Sequence, residues 1–288
     1  MAEQFGWLVD GHPIEIGFER LGRGPQVLML PAPSSVSMRS ELAPLARLLA
    51  ADLELLLPDW PGFGTAPAPA LRWAPRHFQE FLRAFTARHL RPPFAIVAAG
   101  HAAAYALDLA AAAPGSVARI VLVAPTWRGP LPTVAGGYRP WQERVRAAVE
   151  APYLGEALYR LNVSRPVLAM MLKGHVLADP EHLTAELLTQ KSTVTRRPAA
   201  RFATAAFVTG GLDLVRSREA FLRLAEQAAV PVLAVWGPQA PKRSAAEMAA
   251  LAEVEGVRCA ALPVGALGVH EEYAPDVATL ARPFLLAG

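Results

Sequence analysis

Short, continuously apolar runs recur along the chain, and longer segments with apolar residues every three to four positions separate them. An apolar run of four to eight residues between turn-forming residues is typical of a strand buried on both faces. Such runs predict strands at 26–30, 53–58, 94–99, 119–124, 232–236 and 257–262. Two further strands, 5–10 and 14–20, flank Gly11-His12-Pro13 and are predicted to form a hairpin.

The amphipathic segments between the strands predict helices. They lie at about 38–50, 75–89, 101–113 and 275–286, with one more between the last two strands. Strands that alternate with helices and are apolar throughout indicate the α/β class, with a mostly parallel sheet covered on both faces. The interval from about Thr126 to Leu214 breaks this alternation and is interrupted by prolines. It is interpreted as a helical insertion between two strands, and not as an independent domain.

Composition narrows the function classes. The 288 residues are 53% hydrophobic and 18% charged, which excludes a disordered chain because enough apolar surface is available for burial. A net charge of +3 on this length leaves no electrostatic footprint for nucleic acid. Cys259 is the only cysteine, so neither an intramolecular disulfide nor a cysteine metal site is expected. Its strand-like surroundings predict a buried structural thiol.

The N-terminal segment has no basic region followed by an apolar one, so no signal peptide is expected. No apolar run is long enough to predict a membrane span, and the expected compartment is the cytoplasm. Dinucleotide-binding, phosphate-binding and His-Glu-x-x-His motifs are missing from the sequence. We therefore expect no cofactor, no metal and no nucleic-acid partner.

Four segments occur in an order that resembles a known superfamily. Residues 9–11 with 22–25 look like its opening hairpin, and 59–64 read D-W-P-G-F-G, which matches its D-x-P-G-x-G turn. Residues 97–104 lie where its nucleophile turn belongs, and 268–275 resemble the loop with its catalytic His. Together they resemble the α/β-hydrolase superfamily over nearly the whole chain. The resemblance implies a single α/β-hydrolase domain with a mostly parallel eight-stranded sheet, flanking helices and a helical cap at about 126–214.

The nucleophile turn departs from that family. The family motif G-x-S-x-G places a serine on a sharp strand-to-helix turn. Aligned on Gly100, the motif places Ala102 at the nucleophile position, and a methyl group cannot attack a carbonyl. Conventional serine hydrolysis is therefore predicted to be weak or absent. Because the family's acid is missing as well, we favour a natural departure over a single engineered serine-to-alanine change.

The acid is expected after the seventh strand, yet residues 237–242 hold no carboxylate and Gln239 is the nearest polar side chain. An alternative place after the sixth strand, residues 125–128, holds none either. Asp213 precedes a helix and is predicted to cap it or to lie at the surface. His270 alone matches a triad position, where it would act as a general base. The alternative is an inherited histidine that only packs or hydrogen-bonds.

Other candidates follow from the same resemblance. The backbone N–H groups of Ala32 and Ala103 would form the oxyanion hole. Ser34 and Ser35 could offer hydroxyls to a ligand, although turn and helix-capping roles are favoured. His101 is expected to support loops beside the turn, and a pocket-facing imidazole is the alternative.

Aromatic and methionine residues of the insertion are predicted to form an apolar roof over the pocket, which favours a small apolar ligand. They are Trp127, Tyr138, Trp141, Tyr153, Tyr159, Met170 and Met171. Asp59 is expected to make structural hydrogen bonds within its turn.

These features support two hypotheses. In the first, the protein is an enzyme that acts on a small apolar ester-like or carbonyl substrate, with His270 as base and no serine nucleophile. In the second, it is a non-catalytic pseudo-hydrolase that binds a ligand or a partner. An orienting carboxylate beside His270 favours the first hypothesis, and a lone histidine with apolar surroundings favours the second.

Overall fold

Eight strands form one sheet in the computed structural model, which describes residues 2–287. The strands are β1 (Ala2–Val9), β2 (His12–Leu21), β3 (Gln26–Leu30), β4 (Glu54–Pro58), β5 (Phe94–Ala99), β6 (Val117–Val123), β7 (Val232–Trp236) and β8 (Val257–Ala261). Their order is β1-β2-β4-β3-β5-β6-β7-β8, in which the β1–β2 and β2–β4 pairs are antiparallel and the other pairs are parallel. The predicted α/β class with a mostly parallel eight-stranded sheet is confirmed.

Thirteen α-helices connect and cover the strands within residues 2–287. They are α1 (Ala43–Leu49), α2 (Pro75–His89), α3 (Ala102–Ala112), α4 (Pro130–Val134), α5 (Pro140–Glu150), α6 (Leu154–Asn162), α7 (Arg165–Met171), α8 (Ala185–Thr195), α9 (Ala200–Val208), α10 (Arg218–Ala228), α11 (Lys242–Ala250), α12 (Val269–Glu272) and α13 (Ala274–Leu286). The single helix predicted at 38–50 is instead a 3-10 turn, Arg39–Leu42, followed by α1. Pro44 lies in the first turn of α1, where its missing N–H costs no helical hydrogen bond.

The sheet buries both faces, because neighbouring residues on one strand point to opposite sides. On β5, Ile96 packs into the core that also holds residues of α2, α3 and α10. Val97, the next residue, packs into the second core with α1 and α13. Both side chains are fully buried, which explains why the sequence of β5 is apolar at every position.

The helices between β6 and β7 contact loops at the carboxyl ends of the strands. Gly268 donates its N–H to the carbonyl of Val176 over 2.8 Å. Arg197 donates to the carbonyl of Gly62 in the turn after β4. Val36, in the loop after β3, packs into a small core together with residues of α6, α7 and α9, among them Tyr159. This segment therefore covers the sheet edge at which the family motifs meet.

Cys259 lies on β8, as predicted, but it is exposed, so the prediction of a buried thiol is wrong. β8 pairs only with β7 in the sheet order and forms its edge. An edge strand is covered on fewer sides, so an apolar sequence there does not guarantee burial.

No helix within residues 2–287 is both long enough and apolar enough to cross a membrane.

Candidate functional site

The sharp turn between β5 and α3 is made by Gly100, with φ of +52°. His101 follows as the residue before the helix, and Ala102 is already its first residue and fully buried. The prediction that Ala102 lies at the turn is therefore wrong by two positions. β5 ends at Ala99, as predicted, so the turn falls on Gly100 and not two residues later at Ala102; glycine tolerates the positive φ that this turn requires.

A side chain at Gly100 would enter a partly open space. A Cβ built on Gly100 lies 3.1 Å from the Cβ of Ala32 and 3.9 Å from the Oγ1 of Thr126. All three residues are partly exposed, so the turn is accessible at this point. The space that a nucleophile would occupy in this family therefore holds no reactive atom of the turn itself.

The predicted pair of oxyanion-hole amides is not free. Ala103 donates its N–H to the carbonyl of Gly100 over 3.2 Å, as part of the first turn of α3. Ala32 donates its N–H to Oε1 of Glu41 over 3.0 Å. The N–H of His101, directly after the turn, donates to no acceptor within residues 2–287. One of the two predicted amides is thus internal to a helix, and the other already binds a carboxylate.

His270 lies in α12 and is 5% exposed. Its Nε2 is 3.4 Å from Oε1 of Glu41, the same oxygen that accepts from Ala32. Its Nδ1 is buried and has no hydrogen-bond partner among the described residues. The structure therefore gives His270 a carboxylate neighbour that the sequence did not indicate, and it brings His270 and Ala32 together through that carboxylate.

Glu41 belongs to a buried cluster of charged side chains. Lys191, from α8, lies with its Nζ 2.8 Å from Oε2 of Glu271 and 3.8 Å from Oε2 of Glu41. Burial alone raises the pKa of Glu41, but the contact with His270 and the charge of Lys191 outweigh it and hold the pKa below its ordinary value. The carboxylate form of Glu41 is thus favoured inside the protein.

The lowered pKa predicts how stability depends on pH. A carboxyl group with a lower pKa in the folded state contributes stability above its unfolded pKa, 4.5 for Glu41, and loses it as the pH falls through the folded value. The difference in unfolding free energy between wild type and Glu41→Gln is therefore expected to be largest near neutral pH and to shrink as the pH falls below 4.5. Urea unfolding at several pH values measures it.

Glu226→Gln is the matched control, because Glu226 is exposed on α10. The free energy of unfolding of Glu226→Gln should differ little from that of wild type, and this difference should change little with pH. If the Glu41→Gln difference were constant or grew as the pH fell, the carboxylate of Glu41 would not be the stabilised form.

Asp59 holds the turn that presents Glu41. It is buried and accepts from the backbone N–H of Arg39 over 2.7 Å and from the guanidinium of the same residue. Arg39 also pairs with Glu19 on β2 over 3.1 Å. These contacts tie the 3-10 turn that begins at Arg39 to the end of β4, in agreement with the structural role predicted for Asp59.

The loop after β7 contains no carboxylate for His270. The side-chain oxygen of Gln239 in this loop accepts from the backbone N–H of Gly265 over 2.6 Å. The backbone N–H of Gln239 donates to the carbonyl of Gly265 over 3.0 Å. Gln239 therefore joins the loops after β7 and β8.

His101 forms a separate buried pair with Asp213. Its Nε2 is 3.2 Å from Oδ1 of Asp213, and the same oxygen accepts from the N–H of Gly129 over 2.9 Å. Oδ2 of Asp213 accepts from the hydroxyl of Tyr138 over 2.6 Å. Asp213 is 2% exposed, so the prediction of a capping or surface role is wrong. Burial and the charge of Asp213 raise the pKa of Tyr138, which remains a hydrogen-bond donor. The pair supports the loops before α4 and α10, as was expected for His101.

The remaining predicted residues have structural contacts. Ser34 donates its N–H to the carbonyl of Ala32 over 2.8 Å, and both Ser34 and Ser35 are partly exposed. The residue before the 3-10 turn is Met38, so neither serine caps it. Trp127 is 1% exposed and stacks on Phe221 of α10 at 6.2 Å between ring centroids, within the main core.

The predicted apolar roof is only partly present. Tyr159 is buried, but Trp141, Tyr153 and Met170 are 43%, 93% and 69% exposed. These three side chains face solvent, because α5 and α7 bury only one face each and Tyr153 lies just before α6. The helical pattern alone could not show which face that is.

Sequence reasoning missed the contacts of Glu41 and Lys191. Glu41 and Lys191 lie 150 positions apart, so no local pattern links them. The one available signal was that Lys191 is one of three lysines in an arginine-rich chain. The turn at Gly100 was predicted, since Gly100 directly follows the last apolar residue of β5, but the motif alignment placed the nucleophile position at Ala102, inside α3. No group of three or more His, Cys, Asp or Glu side chains within residues 2–287 is arranged to hold a metal ion.

Comparisons with known proteins bear on the family and the fold. The model of the alpha/beta hydrolase family matches residues 27–280. Similar solved structures include a bromoperoxidase from Bacillus anthracis, at 14% identity, a TM-score of 0.74 and coverage of 99% of this chain and 100% of that one. A thermophilic esterase from Thermogutta terrifontis has 18% identity, a TM-score of 0.73 and 98% coverage of both chains. Cfl2 from Burkholderia cenocepacia has 23% identity, a TM-score of 0.74 and coverage of 99% and 96%.

A search of curated protein sequences finds no significant match. At identities below 25%, the structural likenesses show the fold alone. The family match spans most of the chain and agrees with the order of the strands. The chain therefore belongs to the alpha/beta hydrolase family.

Proposed function

We propose that this protein is a non-hydrolytic member of its family, which keeps the fold of a hydrolase and acts by binding a ligand or a partner. The observation that carries the proposal is the position of Glu41. Its carboxylate contacts both Ala32 and His270, the two groups that in an active hydrolase serve the substrate.

An oxyanion hole stabilises a transition state only if its donors are free to bind the developing negative charge. The N–H of Ala32 is already bound to a carboxylate. A second negative charge at that point would be repelled by Glu41, and Lys191 holds Glu41 in place from the other side. The site thus opposes the charge that ester hydrolysis creates.

The other two requirements of serine hydrolysis are also missing. The strand-to-helix turn carries the nucleophile in this family, and Gly100 has no side chain to supply one. The loop after β7 holds no carboxylate to orient the imidazole, and its nearest polar side chain, Gln239, is bound to Gly265. Removing only the nucleophile of a serine protease costs about 10⁶ in turnover, so the combined loss leaves little hydrolysis to expect.

Two observations favour the alternative, an enzyme with His270 as base. His270 has a carboxylate neighbour, and the turn at Gly100 is partly open to solvent. In that case His270 would remove a proton from a small apolar substrate bound at the turn. This reading needs Glu41 to move aside, since it occupies Nε2 and the N–H of Ala32.

We also propose that residues 126–214 act as the cap of this domain. Two contacts support this: the hydrogen bond between Gly268 and Val176, and the ion pair between Lys191 and Glu271. Both connect the segment to the loop that carries His270.

Hydrolysis of p-nitrophenyl acetate and butyrate distinguishes the two functions. We expect wild type and His270→Ala to show the same background rate. His12→Ala is the control, because His12 is exposed on β2. A saturable wild-type rate that falls at least tenfold in His270→Ala and persists in His12→Ala would overturn the proposal and establish the His-base enzyme.

A further inference from the structure

A cavity lies away from the turn at Gly100, between α6, α7 and the α8–α9 connection. Its volume is about 490 Å³, within the range of small-molecule sites. Five arginines line it: Arg160, Arg165, Arg196, Arg197 and Arg201. Glu156 is the only acidic residue in the lining, so the lining carries a net charge of +4, more than the +3 of the whole chain.

The single acid does not neutralise this charge. Glu156 pairs with Arg160 over 2.8 Å and with Arg201 over 3.0 Å. Arg165 donates to the hydroxyl of Thr189, and Arg197 has no carboxylate within ion-pair distance among the described residues. Positive charge is therefore left over, and it faces the cavity from several sides.

Arg197 is the strongest sign of a missing partner. It is 8% exposed, and its guanidinium donates only to the backbone carbonyls of Gly62 and Ala66. Its Nε is buried without a partner, and burial lowers its pKa. A buried charge without a counterion is costly, and a bound anion would offset that cost.

The floor of the cavity combines apolar and polar groups. Val163 and Ala200 are buried there, beside the ring of Tyr159. The hydroxyl of Tyr159 is buried and makes no hydrogen bond of normal geometry, although Thr204 lies beside it. A phenolic O–H is a good donor to an oxyanion, and the apolar floor fits a short hydrocarbon segment.

We propose that this cavity binds a small organic oxyanion, a carboxylate or a phosphate ester with a short apolar tail. The arginines on its rim attract the charged group, and the hydroxyl of Tyr159 donates to it. The tail lies on Val163 and Ala200. The site is separate from the turn at Gly100 and does not depend on whether His270 acts as a base.

Calorimetric titration tests this with four probes: hexanoate, hexyl phosphate, inorganic phosphate and hexanol. We expect saturable binding of hexanoate or hexyl phosphate, which also identifies the preferred head group. Hexanol should bind at least tenfold more weakly, since it lacks the charge. Inorganic phosphate should also bind more weakly, since it lacks the tail. If hexanol bound as tightly as hexanoate or hexyl phosphate, the proposed role of the arginines would be wrong. If inorganic phosphate bound as tightly as hexyl phosphate, the proposed role of the apolar floor would be wrong.

Variants locate the binding. The double variant Arg165→Gln/Arg196→Gln changes two exposed rim residues and should weaken binding about fivefold. Tyr159→Phe keeps the ring and should weaken it about tenfold, since a hydrogen bond to a charged group is lost. Arg223→Gln, on the exposed face of α10, is the matched control. Absence of saturable binding to any probe, or equal weakening by Arg223→Gln, overturns the proposal.

Discussion

Replacing Lys191 with methionine is expected to lower the free energy of unfolding by about 3 kcal/mol, since it removes one partner of a buried ion pair. Lys191 is 3% exposed and lies between the carboxylates of Glu41 and Glu271. Methionine fills a similar volume but carries no charge, so two carboxylates would face each other without a cation. Repulsion and lost hydrogen bonding both favour the unfolded chain. Urea unfolding near neutral pH measures the loss.

Lys173→Met is the control for Lys191→Met. Lys173 is exposed in the turn that follows α7, so the same change should alter stability by no more than about 0.5 kcal/mol. Similar losses in the two variants would show that the buried charge cluster contributes nothing specific.

The double variant Glu41→Gln/Lys191→Met provides a second check. Removing one carboxylate relieves the repulsion, so the double variant should be more stable than the sum of the single effects predicts.

Asp213→Asn is expected to lower the free energy of unfolding by about 2–3 kcal/mol, because an amide group cannot accept every hydrogen bond that the carboxylate accepts. Asp213 accepts hydrogen bonds from the N–H of Gly129 and from the hydroxyl of Tyr138. Its carboxylate also lies 3.2 Å from Nε2 of His101. The substitution keeps the shape but turns one acceptor oxygen into a donor, so at least one buried donor loses its partner. Unfolding in urea measures the change.

Tyr138→Phe provides a graded comparison for Asp213→Asn. It removes one of the same hydrogen bonds and should cost about 1 kcal/mol. Asp276→Asn, exposed in the first turn of α13, should cost only a few tenths of a kcal/mol through the helix dipole. If Asp213→Asn were as mild as Asp276→Asn, the buried network around His101 would not support the turn between β5 and α3.

The local pattern of apolar and polar residues was sufficient to predict most of the fold. β3, β5 and β7 have the bounds predicted from their apolar runs, because a strand buried on both faces must be apolar at every position. The helix 75–89 was also predicted correctly, since its apolar spacing and first-turn proline are local signals. The prediction failed where burial depends on neighbours in the sheet: Cys259 lies on the edge strand and is exposed.

The sequence likewise predicted some features of the candidate site and not others. The sequence alone determined the alpha/beta hydrolase resemblance, the position of His270 and the lack of an acid after β7, because motifs and missing residue types can be read directly from it. Only the tertiary structure decided that Ala102 lies inside α3 and not at the turn, that Glu41 occupies the N–H of Ala32 and that Lys191 lies beside Glu41. Those contacts join residues up to 150 positions apart. They arise because α8 and the turn after β3 meet above the carboxyl edge of a folded sheet, and no local pattern encodes that meeting.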